Sequence, residues 1–182
     1  MNVFLDTNAL VKLYHLEEGS ARLSDFLEAF GDDLFLTIAD IAVIEFHSAV
    51  LKHVRTREID IETAREAFSG LESDMAMYHV VSVDQAVKGV ALRLLDDLGA
   101  TAPLRTLDSL HLAAALEANG LAPIDYFVTS DSGFKRSASR FSGSSTRRRL
   151  MNDDLVSTGA TPRRTSGCRG CARGEGTGQS GV

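Results

Sequence analysis

The chain opens on a short apolar run, Val3-Phe4-Leu5, closed at once by Asp6-Thr7-Asn8. A run so short and so uniformly apolar predicts a buried strand over residues 2–5 rather than a turn of surface helix. Three similar runs follow: Leu34-Phe35-Leu36-Thr37, the β-branched His79-Val80-Val81-Ser82-Val83, and Tyr126-Phe127-Val128-Thr129. Between them the apolar positions change to helical spacing. Leu10, Leu13, Leu23, Phe26, Leu27 and Phe30 predict short helices over 8–16 and 19–30, punctuated by Gly19 and Gly31. Thr37 and Asp40 stand at capping-box spacing, which opens a long helix at about residue 39 and carries it to Arg55. Asp60 caps a helix over 61–77, and Asp84 caps one over 85–98 that stops at Gly99. Pro103 blocks its continuation, and Thr106 opens a last helix over Leu107–Ala118 that ends at Asn119-Gly120. Four apolar strands alternating with helices predict an α/β fold of three layers, a mainly parallel four-stranded sheet with helices on both faces.

Past about residue 136 the pattern stops. Residues 132–182 hold nine of the fifteen glycines, nine serines and the run Arg147-Arg148-Arg149, and they contain no apolar run longer than two. Such a segment cannot bury enough apolar surface to offset its ordering entropy, so residues 1–136 are expected to form one domain and 137–182 a disordered Arg/Ser/Gly-rich tail. The net charge of −6 divides the same way. Residues 1–131 carry 9 Lys+Arg against 22 Asp+Glu, a net of −13, while residues 132–182 carry 10 against 3, a net of +7. An acidic body does not attract a polyanion, so a nucleic-acid substrate requires local basic patches, the tail or bound cations. The body contains no cysteine, Asp6 interrupts the one stretch that could resemble a leader, and no apolar run is long enough to span a bilayer. These features imply a cytoplasmic protein in a reducing compartment. Cys168 and Cys171 form a CxxC without a second ligand pair, too little for a zinc or redox site.

Four carboxylates stand where apolar patterning leaves little room for them. Asp6 ends the first strand, and in an open parallel sheet that end faces the crevice where ligands bind; equally, Asp6 can cap a helix beginning near Asn8. Glu45 lies within Ile41-Ala42-Val43-Ile44-Glu45-Phe46, on a stripe with Ile38, Ile41, Ala42 and Ala49. There an ionised group needs a partner or a metal, or a helix rotated far enough to bring it to the rim. Asp108 sits beside Leu107 and one turn before Leu112, at a position the helix macrodipole also favours. Asp131 follows the fourth strand as Asp6 follows the first. Together, two acids at strand ends and two on helices can converge at the carboxyl edge of the sheet. Their mutual repulsion calls for divalent cations, and hard oxygen ligands select Mg²⁺ or Mn²⁺ over zinc. The natural chemistry of such a site is phosphodiester hydrolysis.

Leu5-Asp6-Thr7-Asn8, Glu45 in its apolar helix, Arg105-Thr106-Leu107-Asp108-Ser109-Leu110-His111-Leu112-Ala113 and Val128-Thr129-Ser130-Asp131 together resemble the PIN-domain ribonucleases, specifically VapC toxins of type II toxin–antitoxin systems. The resemblance covers about residues 1–135. It implies a Mg²⁺-dependent endoribonuclease with Asp6, Glu45, Asp108 and Asp131 as its acidic quartet. Asp6, Asp108 and Asp131 would be metal ligands, Thr7 and Asn8 would orient the first acid, and Ser130 would assist near the fourth. It also implies an RNA substrate, a VapB-like antitoxin and a homodimer. In this family the chain usually continues from the fourth acid through a helix to a last apolar strand. Here Gly133-Phe134-Lys135-Arg136 leads into the polar tail instead, the pattern a reading-frame change produces, so the usual fifth strand is expected to be missing.

Two other classes use some of the same residues. A non-catalytic module that binds antitoxin or RNA shares every acid and differs only in turnover. A phosphoacceptor domain wants a paired acid and a lysine near the strand ends, and no such lysine is evident. His111, one turn from Asp108, reads as a satisfied, partly buried histidine rather than a group touching substrate.

Overall fold

The computed structural model describes residues 1–130 and the backbone of residues 149–151. The first strand, β1 (Asn2–Leu5), is the centre of the sheet, and two helices follow it, α1 (Thr7–Tyr14) and α2 (Ser20–Glu28). Then come β2 (Phe35–Ala39), α3 (Ile41–Arg55), α4 (Ile61–Asp74), β3 (Tyr78–Val81), α5 (Gln85–Leu98), α6 (Thr106–Leu121) and β4 (Tyr126–Val128). The strands are ordered β3-β2-β1-β4, with a fifth, β5 (Arg149–Met151), beside β4, and every pairing is parallel. The α/β fold with a parallel sheet between helical layers is therefore as expected. Among the described residues no helix is long and apolar enough to cross a membrane.

Strand alternation divides the core. Val3 and Leu5 pack with Leu10, Ile38, Phe46, Val50 and Leu71 on the face covered by α1, α3 and α4. Phe4 points the other way, toward Val87, Leu94, Ala113, Ala114 and Phe127 under α5 and α6. The alanines of α6 leave its backbone close to the sheet, and Phe4 stacks on its β4 neighbour Phe127 at a centroid distance of 5.2 Å. Asp60 and Asp84 cap α4 and α5 as the sequence predicts, accepting the Thr63 and Val87 N–H groups at 2.8 and 3.0 Å.

Two expectations require correction. Thr37 and Asp40 form no capping box: β2 stays extended through Ala39, because Ile38 and Ala39 pair with Val80 and Val81 of β3. Thr37, buried in that strand, donates to Asn2 Oδ1 at 2.8 Å, and Asp40 Oδ1 accepts the Val83 N–H at 3.1 Å. The second correction concerns the fifth strand, expected to be missing. The backbone of residues 149–151 pairs with β4, with Leu150 opposite Phe127. Strand pairing uses N–H and C=O groups that every non-proline residue carries, so the open edge of β4 can be matched without the apolar run on which the sequence reading relied. Apart from these three residues, the expected tail lies outside the described residues.

The division of the core makes Phe4→Ala a sharp probe. Phe4 is fully buried whereas Leu92 is 62% exposed, so Phe4→Ala should cost about 3–5 kcal/mol and Leu92→Ala no more than about 0.5 kcal/mol in urea unfolding. Equal losses would mean that the sheet–α6 interface is not packed as described.

Candidate functional site

Beyond Leu5, whose register partner is Val128, the Asp6 N–H donates to the Val128 carbonyl at 3.1 Å, so β1 and β4 remain joined one residue further. This fixes Asp6 at the carboxyl edge of the sheet. Its carboxylate Oδ1 accepts the Ala9 N–H at 2.8 Å, capping α1, and its side chain also hydrogen-bonds Thr129. The cap and the cleft were alternatives in the sequence; the same side chain serves both. Asp6 is only 5% exposed. Burial pushes its carboxyl up to about 6, against the hydrogen bonds from Thr129 and the Ala9 N–H and the pull of His111, while nearby Asp108 adds to the rise.

α3 supplies Glu45. The buried stripe of this helix is Ala42, Phe46 and Val50, and Glu45 lies just beside it, with Ser48, Ala49, Lys52 and Arg55 continuing along its own face. The helix is thus rotated relative to the stripe read from sequence, and the glutamate reaches the rim of a cavity. Its Oε2 accepts two hydrogen bonds, from Thr7 Oγ1 at 2.6 Å and from His111 Nε2 at 2.5 Å, and Thr7 Oγ1 and His111 Nε2 are 3.1 Å apart. Because a carboxylate can only accept, the proton lies on Nε2. Burial raises the Glu45 carboxyl, but the His111 and Thr7 hydrogen bonds outweigh it and hold the group below the usual range. Its Oε1 makes no hydrogen bond among the described residues. His111 is 4% exposed, and its Nδ1 has no hydrogen-bond partner among them.

Asp108 comes from the first turn of α6, where its Oδ2 accepts the Arg105 N–H at 3.3 Å. Here too the local helix role and the placement in the cleft coexist. Asp6, Thr7, Asn8, Glu45, Asp108 and His111 line one cavity of about 280 Å³, together with Ser48, Ala49, Lys52, Arg55 and Leu107. Three of the four expected acids therefore meet. Asp131, the fourth, lies outside the described residues, and Ser130 is not among the described residues that line the cavity.

The supporting roles differ from the sequence reading. The Thr7 hydroxyl holds Glu45 rather than Asp6, and Thr129, to which no role was given, is the side chain on Asp6. Its signal was the parallel register, since Thr129 follows Val128 directly, beside Asp6. His111, expected to be a satisfied histidine, is hydrogen-bonded at Nε2 but not, among the described residues, at Nδ1, and it forms part of the cavity wall.

The donor set suits a hard divalent cation. Asp6 and Asp108 present carboxylate oxygens, Glu45 retains Oε1, and no described thiol lies in the body to select a softer metal. Among the described residues no three His, Cys, Asp or Glu side chains are gathered closely enough to hold an ion by themselves. Mg²⁺ is compatible with that openness, because it is commonly held by one or two carboxylates plus water and substrate phosphate.

Comparison with known proteins agrees with the fold. The PIN domain family model matches residues 3–139. Ribonuclease VapC35 of Mycobacterium tuberculosis (strain CDC 1551 / Oshkosh) is 26% identical over 140 residues, covering 77% of this chain and 92% of the relative. Among solved structures, VapBC2 from Rickettsia felis, bound to a DNA fragment from its promoter, superposes with a TM-score of 0.59 at 18% identity, covering 84% of this chain and 98% of the other. The sarcin–ricin loop cleaving toxin VapC20 of Mycobacterium tuberculosis gives 0.56 at 14% identity, covering 74% and 94%. With the family model spanning most of its length and the same sheet and helices in place, this chain belongs to the PIN-domain family, and its relatives include VapC ribonucleases.

Proposed function

We propose that the chain is a Mg²⁺-dependent endoribonuclease and the toxin of a VapBC-type toxin–antitoxin pair. The observation that carries this reading is the meeting of Asp6, Glu45 and Asp108 in one cavity at the carboxyl edge of the sheet. The names of the relatives support ribonuclease chemistry, and a solved VapBC complex of the same fold supports a VapB-like antitoxin as partner. RNA as the substrate and a homodimer as the working form belong to the same reading.

In this site Asp6 and Asp108, with Asp131, would hold the cation, with Mn²⁺ an alternative to Mg²⁺. The bound cation supplies activation of the attacking water and stabilises charge gathering on the phosphoryl oxygens. Glu45, clamped through Oε2 by Thr7 and His111, keeps Oε1 to orient that water and accept its proton. Asn8 lines the same cavity as Asp6. Ser130, next to Asp131 in sequence, would assist near that fourth acid.

Asp6→Asn retains an oxygen to cap α1 but removes the charge. It should lower Mg²⁺-dependent RNA cleavage roughly a hundredfold or more while leaving the circular-dichroism spectrum unchanged. Chelator should abolish cleavage by the unaltered chain. Folded protein that cleaves no RNA with either Mg²⁺ or Mn²⁺ would instead favour a module that only binds.

The raised Asp6 pKa gives a second prediction. Its folded value, about 6, lies above the 3.8 of an unburied aspartate, so the native state binds this proton more tightly than the unfolded chain does. Stability from this group is fully present below about pH 3.8 and is lost as pH rises to about 6, an effect of about 3 kcal/mol. In metal-free protein, Asp6→Asn should therefore gain stability over the unaltered chain as pH rises through that window, measured by urea unfolding at pH 4 and pH 8. At pH 8, Mg²⁺ should raise the Tm of the unaltered chain more than that of the variant. A pH-independent difference between the two proteins would rule out a strained, deprotonated Asp6.

A further inference from the structure

The cavity wall has a second chemical character, which the acids do not explain. Along α3 the residues that line it are Glu45, Ser48, Ala49, Lys52 and Arg55, spaced so that one helix face passes from an acid, through two short side chains, to two cations. Residues 1–131 hold only 9 Lys+Arg against 22 Asp+Glu, yet two of those nine stand on this wall. Lys52 and Arg55 are both exposed. Among the described residues neither forms an ion pair with a carboxylate. At the rise of an α-helix they sit about 10 and about 15 Å from Glu45 along the axis, too far to neutralise the acids but within reach of a chain threaded past them.

We propose that Lys52 and Arg55 grip the backbone phosphates of single-stranded RNA next to the phosphate being cut. The cavity then has two parts, acids at the bond that breaks and cations at the phosphates flanking it. This rests on the nuclease reading above and extends it to how an acidic domain holds its substrate. An excess of 13 negative charges over residues 1–131 repels a polyanion at long range, so what this domain itself contributes to binding, beside the basic tail and any bound cation, must come from cations placed locally along the path. Arg55 offers a planar fork that can take two phosphate oxygens at once, and Lys52 a mobile point charge. The short side chains of Ser48 and Ala49 leave the route between them and Glu45 open. Both cations also lie in the last turn of α3, where positive charge complements the helix dipole. That role predicts a change in stability but no change in the salt dependence of RNA binding, and this difference separates the two.

The test uses the full chain and a fluorescent single-stranded RNA oligonucleotide in chelator, so that binding is read without cleavage, from 50 to 200 mM salt. The variant is K52Q/R55Q, and the control is K88Q/R93Q, which removes the same charge from exposed positions on α5. The slope of log affinity against log salt should become shallower by about 1.4 for K52Q/R55Q, about 0.7 for each phosphate no longer neutralised, and should not move for the control. With Mg²⁺, KM should rise several-fold in K52Q/R55Q while kcat stays within about twofold. Equal slopes and equal KM values in the two variants would overturn the proposal and leave the pair as helix-end charges. If the unaltered chain binds RNA yet does not cleave it with Mg²⁺, the nuclease reading fails, and the comparison of slopes still decides the phosphate track.

Discussion

The 3.1 Å hydrogen bond from the Asp6 N–H to the Val128 carbonyl is the constraint on which the site depends. It continues the parallel pairing of β1 and β4 one residue past the strands, at the edge where the chain must turn into α1. A carboxylate is thereby fixed under the α1 N-terminus, beside Thr129, with little water around it. Parallel pairing also aligns the carboxyl ends of β1 and β4, which sets Thr129 beside Asp6. A slip of one residue would turn Asp6 into the other layer and exchange Phe4 with its neighbours in the core.

Burying an acid in that position is unfavourable unless its oxygens are engaged. Asp6 is only partly compensated by the Ala9 N–H and Thr129, and its raised pKa expresses the remainder. Glu45 is treated differently. Two donors converge on one of its oxygens and keep it ionised despite burial. The cleft therefore contains one carboxylate that burial makes easier to protonate and another held charged by the protein itself. Environments that push two acids apart in this way are a general means of giving like groups unlike work.

Much of the layout was legible from residue pattern alone. Four apolar runs alternating with helical spacing require a covered parallel sheet, and Asp60 and Asp84 signalled their helix starts because capping is local. Thr37 and Asp40 misled because their spacing is also local, whereas β2 is held extended by β3, a partner some forty residues away. The fifth strand was illegible for the related reason that edge pairing uses backbone groups and needs no side-chain signature. At the site, Asp6, Glu45 and Asp108 stood out as acids among apolar neighbours, while Thr129 and the cations of α3 had nothing unusual beside them in sequence.

By itself, then, the sequence determined the layers, most helix boundaries and which carboxylates were out of place, because hydrophobic periodicity, capping and the cost of burying charge act over a few residues. Only the tertiary structure decided that Thr7 and His111 clamp Glu45, that Thr129 holds Asp6, and that Lys52 and Arg55 share a wall with the acids. Those relations join residues 38 to 123 positions apart, or depend on the rotation of α3 about its axis. Both are fixed by strand register and core packing, which no local window contains.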